Sequence, residues 1–355
     1  MRRITILSLT GLVLISCSTN SITENHEFFI FEPDIRLFTA YAFMNAAGFS
    51  HDWNDTMHPM RIEIREYFDS ILTTEYKTRI NTYYKKLGGG DFYGYGAYAL
   101  NSDFPPDFGL LCDTCRDRYL DKFVGFDTLL QEFYSKAQIE KLWNKYRTKL
   151  KAINLQYKPY AEIALKQITD YCRVDTNFYH DIATGHFYYQ QIPLMSYFTA
   201  FFHETGNDYW IISGPSSGKP GPGAFYHESL HRIINPIVES NSEMNKKIQE
   251  LIPLTQEQLK GDYNSDTAIL CESFVRTIDK ILSSRYWNFS DEDLYKMIED
   301  EYKLGHILCF YLLENLPKYE NSNKTLSEFY PELLLNINVE IEKKRWIDYW
   351  SNDHE

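Results

Sequence analysis

Ala224-Phe225-Tyr226-His227-Glu228-Ser229-Leu230-His231 is the stretch on which the reading of this 355-residue chain turns. It contains H-E-x-x-H, two histidines four residues apart with a glutamate directly after the first. On an α-helix, positions i and i+4 share a face. His227 and His231 can therefore reach one metal ion from a single helix, and Glu228 can stand beside a water on that ion. The residue types point to zinc, and the arrangement points to hydrolysis.

The flanks define the helix. Upstream lie Ser213-Gly214-Pro215 and Gly218-Lys219-Pro220-Gly221-Pro222-Gly223, a loop that should give way abruptly to helix. Tyr226, Leu230, Ile233 and Ile237 form an apolar stripe at helical spacing, while His227, His231 and Ile234 lie on another face. Pro236 disfavours helical geometry at Asn235, which predicts that the helix ends there. The plainer reading is an amphipathic helix whose two histidines only make hydrogen bonds.

A catalytic zinc takes three protein ligands and keeps one position open. The metzincin extension would place glycine at position 234 and histidine at position 237; the chain has Ile234 and Ile237. The alternative is a glutamate from a later helix. Residues 265–284 read as that helix, starting at Ser265 or Asp266, with Ile269, Leu270, Phe274, Ile278, Ile281 and Leu282 for the core. Glu272 sits inside this pattern, and a carboxylate beside an apolar stripe needs a partner. That partner is either the metal or Arg276, four residues on. Glu239 is the main rival ligand, and Asp262, Asp266 and Asp279 are weaker ones. Arg276 and Asn235 are candidates for orienting the ligands from behind.

With His227, His231 and Glu272 on the metal, Glu228 is the expected general base, taking a proton from water and passing it to the leaving amine. Tyr263, Tyr302 and His306 are candidates for steadying the oxyanion, although 28 tyrosines weaken any single choice.

Met1-Arg2-Arg3 precedes an apolar run from Ile4 to Ile15, too short for a permanent membrane span and shaped like a signal peptide. It ends in Leu14-Ile15-Ser16-Cys17, which resembles a bacterial lipoprotein box. The resemblance implies cleavage after residue 16, lipid on Cys17 and a polar tether over residues 17–30. The expected location is the cell envelope, with membrane contact through the lipid and the outer membrane or cell surface as possible sites.

The remaining length, about 325 residues, suits one large domain or two small ones. Residues 31–175 read as a mainly helical region and 176–350 as the catalytic region, with one continuous domain as the alternative. The formal charge is −13, with no run of Lys or Arg, which argues against nucleic-acid partners. Aromatic residues make up 16%, enough to line a peptide or sugar groove as well as fill a core. Cys112-Asp113-Thr114-Cys115 is a lone C-x-x-C, readable as a disulfide or a structural zinc site. The odd number of cysteines after Cys17 requires at least one free or intermolecular thiol.

Helices are expected over 33–48, 59–72, 75–87, 91–100, 118–135, 136–172, 244–252, 265–284, 291–315 and 324–347. Tyr197–Phe202 and Tyr209–Ile212 read as strands of a hairpin, the second offering an edge to an extended peptide. The expected fold is α+β, mainly α, with a small antiparallel sheet, an active-site helix and flanking helices.

These features together resemble the gluzincin-type metallopeptidases. More closely, they resemble a family of bacterial proteins grouped as a gluzincin-like domain of unknown function. The matching residues are Asp34-Ile35-Arg36-Leu37, Ala46-Ala47-Gly48, Tyr67-Phe68, His227 to His231 with Asn235-Pro236, and Glu272-Ser273-Phe274-Val275-Arg276. The resemblance covers most of residues 33–285. It implies zinc on His227, His231 and Glu272, the base role for Glu228, and a peptide or protein substrate of unspecified sequence. Two other readings stand beside it: a non-catalytic lipoprotein that binds peptide or glycan on the same scaffold, and a zinc amidase acting on cell-wall material.

Overall fold

Side chains alternate across a strand, so Tyr209-Trp210-Ile211-Ile212 sends two residues to each side. Tyr209 and Ile211 enter one buried cluster, and Trp210 and Ile212 enter a second. The computed structural model describes residues 28–352 apart from 51–55, 90, 112–119, 175–184, 217 and 260–262. The proposed signal peptide, Cys17, most of the tether, the Cys112/Cys115 pair and Asp262 lie outside the described residues.

Among the described residues the sheet has four strands, Phe29–Ile30 (β1), Phe187–Gln191 (β2), Ala200–Thr205 (β3) and Asp208–Ser213 (β4), in the order β1-β2-β4-β3. The β1–β2 and β2–β4 pairings are parallel. Only the β3–β4 hairpin is antiparallel, with Thr205 opposite Asp208. The sheet is therefore mixed, and two corrections follow. First, Phe29 and Ile30, assigned to the tether by sequence, pair with Phe187 and Tyr188. Second, the Tyr209–Ile212 strand is no edge. It is hydrogen-bonded on both sides, and the edge belongs to β3.

Helices cover both faces. On the Trp210 side lie Ile35–Ala46 (α1), Pro59–Ile71 (α2), Thr74–Lys86 (α3), Phe92–Leu100 (α4), Phe126–Lys136 (α5) and Ile139–Leu155 (α6). Their starts follow side-chain chemistry. Asp34 accepts from the backbone N–H of Arg36 and Leu37, and Thr73 accepts from that of Tyr76. Pro59 occupies the first turn of α2, where no donor is needed. On the Tyr209 side lie Lys158–Cys172 (α7), Gly223–Ser240 (α8), Ile252–Leu259 (α9), Asp266–Trp287 (α10), Asp291–Lys303 (α11), Cys309–Glu320 (α12), Leu326–Asn336 (α13) and Val339–Asn352 (α14). Helices α8 and α10 pack along each other, which sets the distance between their facing side chains.

Three long helices expected from periodicity are broken. The 136–172 pattern breaks at Gln156-Tyr157, before Pro159 in the first turn of α7. The 291–315 pattern breaks at Gly305, which has φ +110°, and a Cβ there would lie 2.6 Å from Cγ of Leu259. The 324–347 pattern breaks where Ile337 turns inward in extended geometry and Asn338 accepts from the N–H of Ile341. In the opposite direction, α8 runs through Pro236 to Ser240 rather than ending at Asn235. Cys172, Cys271 and Cys309 are free and buried, and burial pushes their thiols up to about 12. Among the described residues, no helix is long and apolar enough to cross a membrane.

Candidate metal centre

The centre is built between α8 and α10, with β3 behind it. His227 and His231 project from α8 one turn apart, and their Nε2 atoms are 3.3 Å from each other. Glu272 of α10 brings Oε1 to 3.5 Å from Nε2 of His231. One ligating atom from each of the three lies within 4.8 Å of the others. His231 Nδ1 stands 3.1 Å from Oδ1 of Asn235, an acceptor, so the ring proton belongs on Nδ1 and Nε2 carries a lone pair. On the far side of His227, Nδ1 faces Oδ2 of Asp279 at 3.9 Å. Two imidazole nitrogens and a carboxylate oxygen thus converge, a group that could hold a metal ion.

Glu272 has a second partner. Its Oε2 accepts from Nε of Arg276 at 2.9 Å, one turn along the same helix. The arginine takes Oε2 and leaves Oε1 facing the histidines, so pairing with Arg276 does not preclude Glu272 from holding a metal. Arg276 also donates through Nη1 to Oε2 of Glu301 in α11, at 2.8 Å. Lys280 links Glu301 Oε1 at 2.9 Å to Asp279 Oδ2 at 3.1 Å, and Asp279 Oδ1 accepts from Ser283. Burial opposes ionisation of Glu301, yet Lys280 and Arg276 outweigh it and hold its carboxyl down to about 2.

Glu228 is buried beside these groups at 3% exposure, and the backbone N–H of Phe202 in β3 donates to its carboxylate. Burial first, then the nearby Glu272, raise its proton affinity well above that of an ordinary glutamate. Burial and then Arg276 push His227 the other way and keep it neutral, as a metal ligand must be. His227 and Glu228 open onto a cavity of about 640 Å³ bounded by the end of β4, the loop before α8, and helices α10 and α11.

Residues 222–336 match a family described as a domain of unknown function (DUF4932). The DUF4932 segment begins at Pro222, immediately before α8, and ends with α13, so it contains all three converging ligands and the Arg276–Glu301 link. No curated protein and no solved structure matches the chain.

The other residues singled out by sequence are distributed as follows. Glu239 is exposed and lines a smaller pocket with Asn235 on the other side of His231. Asp266 turns back to the N–H of Thr267 at the start of α10. Asp279 lies behind His227 rather than among the converging atoms. Tyr302 is buried against Phe310, Trp346 and Tyr349, and does not line the cavity that holds His227 and Glu228. Tyr263 packs near His306, which burial and then Arg276 hold down to about 4. Sequence reasoning missed Lys280 and Glu301. Lys280 had a signal: Glu272, Arg276, Asp279 and Lys280 fall at helical spacing, a charged stripe within an otherwise apolar helix. Glu301 had none, since its partners come from another helix.

Proposed function

We propose that this protein is an extracytoplasmic zinc-dependent metallopeptidase, held at a bacterial membrane by lipid on Cys17. The observation that carries the reading is the convergence of His227, His231 and Glu272 with Glu228 buried alongside. Ligands about 2.0–2.1 Å from a tetrahedral zinc lie roughly 3.3 Å apart. Two of the three spacings, 3.3 Å and 3.5 Å, match that ion, and all three atoms lie within 4.8 Å of one another. Two imidazoles and one carboxylate are also the donor set of catalytic rather than structural zinc sites. Zinc held there would supply Lewis acidity for a water and for a scissile carbonyl.

The chain's own groups supply the rest. Glu228, buried beside the three converging side chains with its proton affinity raised, is placed to accept a proton from water and return it to the departing amine. The Phe202 N–H fixes the carboxylate's orientation from β3. Asn235 and Arg276 hold one ligand each in position. A protein that only binds peptide or glycan has no use for a buried carboxyl poised in this way. The lipoprotein-like Leu14-Ile15-Ser16-Cys17 supports anchoring at the cell envelope.

The test is elemental analysis and peptide turnover on the chain freed of residues 1–17. About one zinc per chain is expected, with sharp loss of metal in Glu272→Ala. Glu228→Gln should keep the zinc and lose roughly 10²–10⁴-fold in turnover. A wild type that stays empty after zinc is supplied, or a Glu228→Gln variant as active as wild type, sinks the reading. Zinc with turnover of a cell-wall amide and none of peptides moves it to the amidase.

A further inference from the structure

Phe198 sits at φ +60°, in the left-handed region that a bulky side chain rarely adopts. Its ring is 63% exposed and lines the cavity that holds His227 and Glu228. A strained backbone serving to display an apolar ring beside a catalytic cleft is a costly arrangement with no evident benefit to the core. The turn that presents the ring is also firmly held. The Phe198 N–H donates to the Pro215 carbonyl at 3.0 Å, and the Gly214 N–H donates to the Thr199 carbonyl at 2.7 Å. Gly214 has no room for a side chain, since a Cβ there would lie 1.9 Å from the carbonyl oxygen of Ser196. The ring is thus presented by a braced turn.

Two other exposed apolar side chains line the same cavity, Trp287 at the end of α10 and Leu304 at the end of α11, 43% and 52% exposed. The inner wall is different in character. Arg276 and Lys280 are already paired with Glu272, Glu301 and Asp279, so neither cation is left over to select an acidic substrate group. The cavity also has the exposed Lys219 in its lining, but the three large side chains at its mouth are apolar, and selection by side chain falls mainly to them.

We propose that Phe198, with Trp287 and Leu304, forms a clamp that takes a large aliphatic or aromatic side chain of a polypeptide substrate next to the bond to be cut. This deepens the peptidase reading and rests on it for the word substrate. Phe198 is then a specificity-determining residue.

The experiment uses fluorescent octapeptides that differ only at one central residue, Phe, Leu, Ser, Lys or Asp. Binding is measured to the zinc-supplied chain carrying Glu228→Gln, with and without Phe198→Gly. Glycine removes the ring and relieves the left-handed backbone, so the fold is kept and the melting temperature should not fall. The Phe and Leu peptides should bind at least about tenfold more tightly than the Ser, Lys and Asp peptides, and Phe198→Gly should remove most of that preference. Equal affinity for all five peptides, no binding of any, or an unchanged preference in Phe198→Gly overturns the clamp. Turnover by the chain with Glu228 intact separates the two claims. Cleavage without side-chain preference leaves the peptidase and removes the clamp; apolar preference in binding without cleavage does the reverse.

Discussion

Arg276 shows how a single side chain can fix a candidate metal ligand. Its Nε holds Glu272 and its Nη1 holds Glu301, so one planar guanidinium ties the ligand-bearing helix α10 to α11. A lysine ammonium is a point charge on a flexible stem and lacks the rigid fork that serves both carboxylates at once. Arg276→Lys should therefore loosen Glu272 and lower zinc affinity by about 10–100-fold, read by competition with a chelating dye. Unchanged affinity would mean that helix packing alone positions Glu272. Much of this residue-scale picture was legible beforehand. H-E-x-x-H is a local pattern, and Glu272 stands out because a carboxylate in an apolar helix demands an explanation. The Arg276 pairing was legible too, as an i, i+4 contact. Glu301 was not, because nothing local ties it to residues 272–280. Phe198 was not, because backbone strain leaves no trace in composition.

Pro236 was expected to stop α8, yet the helix runs four residues beyond it. A proline removes one backbone donor and crowds the preceding turn, and tertiary contacts make up for that loss here. Val238 is fully buried beyond the proline. Asn241 donates to the Ile237 carbonyl, and Asn245 donates to the Val238 carbonyl at 2.8 Å. Asn245 also accepts from the Tyr330 hydroxyl at 2.9 Å, tying the end of α8 to α13. Asn245→Ala would leave the buried Tyr330 hydroxyl without its partner, while the Val238 carbonyl keeps the Asn241 N–H, and should cost roughly 1–3 kcal/mol, measured by urea unfolding. A loss under about 0.5 kcal/mol would show that packing at Val238 carries the extension alone. Other elements escaped the sequence for related reasons. Strand β2 is flanked on both sides by parallel partners, and four of its five residues are buried, so Phe187-Tyr188-Tyr189-Gln190-Gln191 shows no clear alternation of apolar and polar residues. Strand β1 has two residues and no periodicity to read. The β3–β4 hairpin was legible because Gly206-Asn207 marks its turn. Which strand lies at the edge is decided by β2, and so could not be read from the hairpin.

At the scale of the whole molecule, a buried charged network joins α10 to α11, with His306 beside it, and it bears on how the metal-free protein should respond to acid. Burial, then Arg276, hold His306 at about 4 against an ordinary 6.5. Below pH 6.5 the unfolded chain takes up a proton that the folded chain refuses. Stability must then fall as the pH drops from 6.5 to 4, by up to roughly 3 kcal/mol from this group. Glu301, held at about 2 against 4.5, acts in the same direction in a lower window. Its contribution is complete above pH 4.5 and is lost as the pH falls towards 2. His227 is also held below its ordinary value, so acid sensitivity alone does not single out His306. A comparison with His306→Gln does. Glutamine does not titrate, so the variant escapes the loss between pH 6.5 and 4 that belongs to His306. The stability difference between chelator-treated wild type and variant should therefore shift in the variant's favour by roughly 2 kcal/mol between pH 7 and pH 4.5. A difference that stays constant over that range would mean that His306 takes up its proton in the folded protein as readily as in the unfolded one, and that the network does not exclude it.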